Sequence, residues 1–431
     1  MNPNKQISRR KLLQVGLVSG LGLSLADYLR LVQANPPQQN RSSADGVIFI
    51  HLAGGPAHLD TLDMKPDAPQ AEQSEFSRIN TRITGLSACE HLPRLAAAMN
   101  RFTLLRGISH TTGDHPRANQ FLFSGNEPTP AVDYPAIGSV AARERPSRQD
   151  LPSFVAIPDC DAVPGFMGVQ YAPFRTTSVP RAGQPFEMRG LSLGSNLTVD
   201  RIRNRSALLS DLDTLTRDVE SSNEVVQGLD RFGQQAMAMI LSPRAREAFD
   251  VSREPEAIRQ LFANDDFSQS CLLAMRLIES GIRFVTVTHG GWDTHLDNFQ
   301  NLRNRLLPPF DAGITALVEA MRQKGLLQRN LVVATGEFGR TPSINRNGGR
   351  DHWPRTMWTL MTGGGVQTGQ LIGGTDRNGH GPDDDTDMKP DDLAASILHT
   401  LNIDHRHEYH TRNGRPVVLI QRGRVIRDLF A

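Results

Sequence analysis

The sequence predicts an α/β fold built on a mostly parallel central sheet. Two observations carry this: short, nearly continuous apolar runs of strand length, and amphipathic stretches of helical period that alternate with them. A third is the glycine- or proline-bearing break that closes each run and hands over to a polar loop.

The N-terminus is of a different kind. Polar, cationic residues lead to Ser8-Arg9-Arg10-Lys11, followed by an apolar, glycine-containing stretch from Val15 to Ala26. An arginine pair before a short apolar core is what the twin-arginine export route reads, and the core is too short for a membrane span of roughly 20 residues. The expectation is an exported bacterial protein, periplasmic or secreted, that meets the twin-arginine translocase during export. Small residues allow cleavage after Ala26 or after Ala34, and the membrane is a partner only through an uncleaved signal. Domain organisation follows: 1–34 signal peptide, 35–45 a polar, proline-bearing linker, 46–431 the folded domain.

Within that domain, Gly46–Leu52 is a largely apolar run broken by Gly54-Gly55-Pro56, a buried strand running into a loop. Leu92 to Met99 reads as helix and Phe102 to Gly107 as a second strand. Pro128 to Thr198, rich in Gly and Pro, reads as excursions over the surface that form one wall of a cleft. From Arg203 to Gly281 the period turns helical, clearest at Cys271–Ile278, with Gly281 as the stop signal. Ile282–Thr288 is the third strand; Phe310, Ile314, Leu317, Val318 and Met321 mark an amphipathic helix; Leu331–Thr335 and Met357–Met361 are strands four and five. Pro390 opens a helix with Leu393, Ile397, Leu398 and Leu401 on one face, and Val417–Ile420 with Val425–Ile426 suggests a terminal hairpin.

Composition narrows the function classes. Lys and Arg number 47 against 46 Asp and Glu, with no long basic block, so no nucleic-acid partner is expected. Three scattered cysteines, Cys89, Cys160 and Cys271, make neither a disulfide framework nor a zinc-type spacing.

The loops after the strands hold the chemistry, where ligands bind in such sheets. They read Gly54 to Asp63, Ser109 to Arg117, His289 to His295 and Gly336 to Thr341, with Gly348 to Trp353 just before strand five. A lone carboxylate in a loop is ordinarily a cap. Several carboxylates and imidazoles at one sheet edge make the mixed O/N set that suits Zn or Mn. Asp293 and His295 are spaced to close on one ion, Glu337 leaves the neighbouring strand, and adjacent Asp351 and His352 can serve two ions, or one ion with the other residue behind a ligand. Arg117 and Arg340 are candidate anion clamps. Trp292 and Trp353 read as packing residues, the Pro382–Asp387 stretch as a solvated turn, and His405, His407 and His410 as surface.

Gly54-Gly55-Pro56 with Asp60 and Asp63-Met64-Lys65-Pro66, then Gly291 to His295, Gly336 to Pro342 and Gly349 to Trp353, resemble the bacterial domain of unknown function family 1501 from about Val47 to the C-terminus. The resemblance includes the leader. It implies an alkaline phosphatase-like three-layer α/β/α domain, and a superfamily that hydrolyses or transfers phosphate and sulfate esters at one or two metals. It likens Asp293 and His295 to the first-metal ligands, Glu337-Phe338 to an Asp-His pair after a strand, and His352 to the final metal histidine. His115 to Pro128 resembles the segment holding a sulfatase nucleophile. Departures are specific: Pro116 and Arg117 are adjacent with Asp114 at the would-be nucleophile, so no formylglycine is expected. Ala53-Gly54 stand where an Asp normally follows strand one, with Asp60 or Asp63 as substitutes, and Phe338 has no ligand atom.

The resemblance implies a metal-dependent hydrolase of anionic esters, sulfate or phosphate. Asp60, Asp293, His295, Glu337, Asp351 and His352 are then the metal candidates for one or two divalent ions, Zn or Mn. Thr112, or water activated by the metal, is the nucleophile, His115 an acid/base, and Arg117 or Arg340 the anion clamp. The alternative is a non-catalytic, sulfatase-like binding protein for a polysaccharide or a protein partner.

Overall fold

A computed structural model describes residues 44–184, 186, 233–234, 237–411 and 413–430. The leader, most of the linker, the 187–198 part of the expected surface excursion and the 203–232 part of the helical stretch lie outside the described residues.

The strand β1 (Gly46–Leu52) is buried along its whole length. Ile48, Ile50 and Leu52 enter one core while Val47 and Phe49 enter the other. That period of two is what a strand covered on both faces requires, and it explains the unbroken apolar run. Around β1 stand β2 (Thr103–Ile108), β3 (Phe154–Ile157), β4 (Phe174–Arg175), β5 (Phe284–His289), β6 (Asn330–Thr335), β7 (Met357–Gly363) and β8 (Gln370–Ile372). Their order in the eight-stranded sheet is β8-β2-β7-β6-β1-β5-β3-β4. All neighbours are parallel except β7, which runs antiparallel to both β2 and β6.

Helices cover both faces, so the three-layer α/β/α architecture is as expected. On one face lie α1 (Pro93–Ala98), α4 (Asp266–Glu279) and α5 (Leu307–Gln323), contributing Leu95, Leu272 and Ile314 to the first core. On the other lie α2 (His115–Ser124), α3 (Ile137–Glu144) and α6 (Pro390–Thr400), contributing Leu122, Val140 and Ile397 to the second. The helix α4 starts where Asp265 accepts from the Ser268 amide (2.8 Å), an N-cap. Gly281 follows its end at φ +99°, a left-handed conformation that only glycine adopts without strain.

Two expectations are corrected. The stretch from Pro128 is not surface alone: it holds α3, buried from Ile137 to Ala142, and β3, a buried strand inside the sheet. Small residues hide α3 from a hydrophobicity reading. Gly138 is needed because a Cβ there would meet the Phe154 ring at 2.6 Å. The terminal hairpin pairs Pro416–Val418 with Glu408–His410, not with Val425–Ile426; only Tyr409 of Glu408–His410 is buried, so that strand carries no apolar run. The three cysteines are free and buried. Among the described residues, no helix is long and apolar enough to cross a membrane.

The antiparallel course of β7 matters for function. Its start lies at the same sheet edge as the ends of β1, β2, β5 and β6, so the loop before it joins the loops after them. A buried ion pair fastens two of these loops. Arg350 donates to both oxygens of Asp60 through Nε (2.7 Å) and Nη2 (2.9 Å), and Asn298 adds a third bond at 2.7 Å. Both charged side chains are fully buried. Removing one partner strands the other charge, so Arg350→Ala is expected to cost about 3–5 kcal/mol in chemical denaturation. A cost below about 1 kcal/mol would show that the pair does not fasten the loops.

Candidate metal centre

Each loop reaches the sheet edge by backbone contact. Gly54, at φ +114°, lies so close to the loop after β5 that a Cβ would meet the Asp293 amide nitrogen at 2.2 Å. Behind them sits Arg340, fully buried. Its Nε donates to the Gly55 carbonyl (3.1 Å), Nη1 to the Arg350 carbonyl (3.1 Å), and Nη2 to the Gly54 carbonyl and to Asp293 Oδ1 (2.5 Å). Partial burial works against the charge of Asp293, but the Arg340 hydrogen bond prevails and holds its carboxyl below the usual range.

Three imidazoles turn toward Asp293. The Nε2 atoms of His295, His352 and His115 lie 3.0, 3.2 and 3.4 Å from its Oδ1. The Nε2 atoms of His295 and His352 lie 2.9 Å from each other. His115, Asp293 and His352 each offer one ligand atom within 4.8 Å of the other two.

The opposite ring nitrogens determine what these Nε2 atoms carry. His115 Nδ1 donates to Glu337 Oε1 (2.5 Å), His295 Nδ1 to Asp351 Oδ1 (2.6 Å), and His352 Nδ1 to the Gly113 carbonyl (2.7 Å). All three partners only accept, so each neutral ring has its proton on Nδ1 and a lone pair on Nε2. His115 Nε2 is buried with no hydrogen-bond donor or acceptor of its own. Three lone pairs and a carboxylate oxygen thus face one another, an arrangement that repels unless positive charge sits among them. Ligand atoms about 2.0–2.1 Å from one tetrahedral ion stand roughly 3.3 Å apart; the 3.0–3.4 Å separations of the three Nε2 atoms from Asp293 Oδ1 match, while His295 stands outside the group of three whose ligand atoms all lie within 4.8 Å of one another.

The expected site residues divide accordingly. Asp293, His295 and His352 come together, joined by His115, whose Nδ1 is engaged by Glu337 and whose Nε2 faces Asp293. Asp351 stands behind His295 and also accepts from Asn345 (3.1 Å); the His295 hydrogen bond lowers its carboxyl pKa. Glu337 stands behind His115, and its carboxylate also accepts from the Gly54 amide (2.9 Å) and from His51 (3.3 Å). Burial opposes its charge, yet these hydrogen bonds hold it well below the usual carboxylate range. Asp60 is away from the cluster, consumed by Arg350 and Asn298. Asp63 is likewise engaged, by Arg106 (2.7 Å), Lys65 (3.1 Å) and Thr375 (2.6 Å). Arg340 is no anion clamp, because backbone carbonyls and Asp293 take its donors. Arg117 is exposed on the first turn of α2, and the Thr112 amide donates to His110 Nδ1 (3.2 Å). Asp114 caps α2 by accepting from the Arg117 amide (3.2 Å). Phe338 lies against the rings of His115 and His352, with centroids 5.0 and 4.7 Å away. Trp292 packs in the core.

His51 escaped the sequence reading. Its one signal is a polar residue near the end of an otherwise apolar strand. Gly113 gave no signal, since its carbonyl acts.

Residues 44–430 match the family described as Protein of unknown function (DUF1501). No curated protein matches the chain. Among solved structures, the chain is similar to a lipoteichoic acid synthase from Listeria monocytogenes (9% identity, covering 92% of this chain and 78% of that one, TM-score 0.37). It is also similar to a sulfatase from Pseudoalteromonas sp. (12%, 92% and 72%, TM-score 0.34). A third is the alkaline phosphatase from the Antarctic bacterium TAB5 (12%, 84% and 99%, TM-score 0.32). At these scores the likenesses carry no argument about function.

The Glu337 hydrogen bond raises the His115 pKa against the opposing effect of burial. In metal-free protein, Glu337→Gln removes the negative charge and is expected to lower the His115 pKa, read from its imidazole resonances in an NMR pH titration. An unchanged or higher value would contradict the assigned contact.

Proposed function

We propose that this chain, which belongs to the DUF1501 family of proteins of unknown function, is a metal-dependent hydrolase of anionic phosphate or sulfate esters. One observation carries the reading: the Nε2 lone pairs of His115, His295 and His352 facing the Asp293 carboxylate. When bound there, a divalent cation such as Zn or Mn supplies a Lewis acid for an ester oxygen and acidity for a coordinated water.

The chain's own residues do the rest. Glu337, Asp351 and the Gly113 carbonyl hold the three rings in one tautomer and orientation, the usual outer partners of ligating histidines. Arg340 keeps Asp293 ionised and aimed. Arg117, two residues from His115 on the first turn of α2, supplies positive charge for the anionic group of the substrate. Thr112 is the protein hydroxyl proposed as nucleophile, on a loop that His110 pins by donating from Nε2 to the Glu337 carbonyl (2.8 Å). The Arg9-Arg10 leader supports export, with residues 1–34 as signal, 35–45 as linker and 46–431 as the working domain in the periplasm or outside the cell.

One observation favours a second reading, a non-catalytic protein that binds a polysaccharide or a partner protein. Asp114, at the position where the resemblance puts a sulfatase nucleophile, is spent as a helix cap. A single experiment separates the two. Protein purified through its export route is expected to turn over an aryl phosphate or aryl sulfate, to lose turnover on chelation, and to fall at least about 100-fold in kcat/KM as Asp293→Ala, since the ligand is shared by the whole site. A metal-loaded, folded protein inert to both substrate classes would overturn the hydrolase and leave the binding module.

A further inference from the structure

We infer that the centre takes a single cation per chain, and that Glu337 is a positioning residue which closes off the place a second cation would need. The inference rests on the metal reading above. It concerns only how many ions the residues can hold.

The argument starts from the oxygens of Glu337. The carboxylate is 1% exposed and both oxygens are engaged. Oε1 accepts from His115 Nδ1 (2.5 Å) and from the Gly54 amide (2.9 Å), and Oε2 accepts from His51 Nε2 (3.3 Å) and from the same amide (3.2 Å). A carboxylate so placed can ligate an ion only by releasing these donors. Releasing them leaves the buried N–H groups of Gly54 and His51, and the half-buried one of His115, with nothing to meet, which folded proteins avoid. It also frees the His115 ring, whose Nδ1–H bond to Glu337 is what aims Nε2 at Asp293.

The surroundings offer nothing in exchange. Ala53 and Gly54 follow β1 without a ligand side chain, Phe338 packs its ring under His115 and His352, and Asp60 and Asp63 are spent on Arg350 and on Arg106. His51, on the far side of Glu337, points its Nε2 at the carboxylate. The space beside Glu337 is therefore filled by protein hydrogen bonds, while the space before Asp293 is lined by its Oδ1 and by three Nε2 atoms, of which that of His115 has no hydrogen-bond partner. One ion fits the second place; none fits the first.

The test is a count. Full-length protein purified by its export route, analysed by inductively coupled plasma mass spectrometry, is expected to hold one equivalent of transition metal. Titration of chelator-stripped protein with Co2+ is expected to develop its visible absorption to a single end point at one equivalent. Glu337→Gln is expected to keep that end point and weaken the affinity about 10- to 100-fold, as loss of an outer partner of a metal histidine does. Two equivalents in the parent protein, with one lost in Glu337→Gln, would overturn the inference while leaving the hydrolase reading intact. No bound metal under any loading condition would overturn both. Should Glu337→Gln fail to fold, the stoichiometry of the parent chain decides alone.

Discussion

One buried guanidinium ties the working edge of this protein together. Arg340 leaves the loop after β6, reaches the carbonyls of Gly54 and Gly55 after β1, the carbonyl of Arg350 before β7, and the carboxylate of Asp293 after β5. Three connections that are far apart in the chain, those after β1, after β5 and between β6 and β7, therefore share a single cation. A charge buried this deeply is tolerated only when its donors are met, so the loops cannot drift apart without exposing or stranding it. The same contact aims Asp293, the one carboxylate oxygen on which three imidazoles converge. Fold and site are coupled through this side chain, and the Asp60–Arg350 pair repeats the device one layer further out.

The convergence itself is an electrostatic demand. Polar groups of like kind turned toward each other in a partly buried space cost free energy unless something opposite in charge joins them. Here the outer partners leave little freedom: a carbonyl behind His352 and carboxylates behind His115 and His295 each require the ring proton on the outer nitrogen. Arg340 supplies one donor to Asp293 but none to the imidazoles. The three Nε2 atoms and Asp293 Oδ1 are thus held in place by the residues behind them, which is how a rigid scaffold keeps the geometry of a site.

Much of this was legible in the residues, for physical reasons that also explain the gaps. The strand β1 is readable because both its faces are buried, and α5 because only one of its faces is. The short helix α3 is not, since Gly138 and Ser139 bury without being strongly apolar, and β3 is four residues long. Asp293, His295 and His352 stand in loops that break sharply after or before strands, so their gathering at one edge follows from a parallel sheet. His352 reaches that edge only because β7 runs the other way, which no local pattern reveals. The partners of Glu337, Asp60 and Arg340 are not legible for a single reason: each is a charged loop residue with a partner far along the chain, and sequence shows the charge without the partner. The orientation of His115 is not legible either, because it is decided by Glu337, 222 positions away.

The central claim is that a metal ion, rather than shared protons, resolves the facing lone pairs. Anomalous diffraction from crystals of metal-loaded protein, collected on both sides of the metal's absorption edge, tests it most directly. The account predicts a peak about 2.1 Å from the Nε2 atoms of His115 and His352 and from Asp293 Oδ1, with His295 Nε2 beside it. Density showing His295 and His352 still 2.9 Å apart with no anomalous peak between the rings and Asp293 would contradict it.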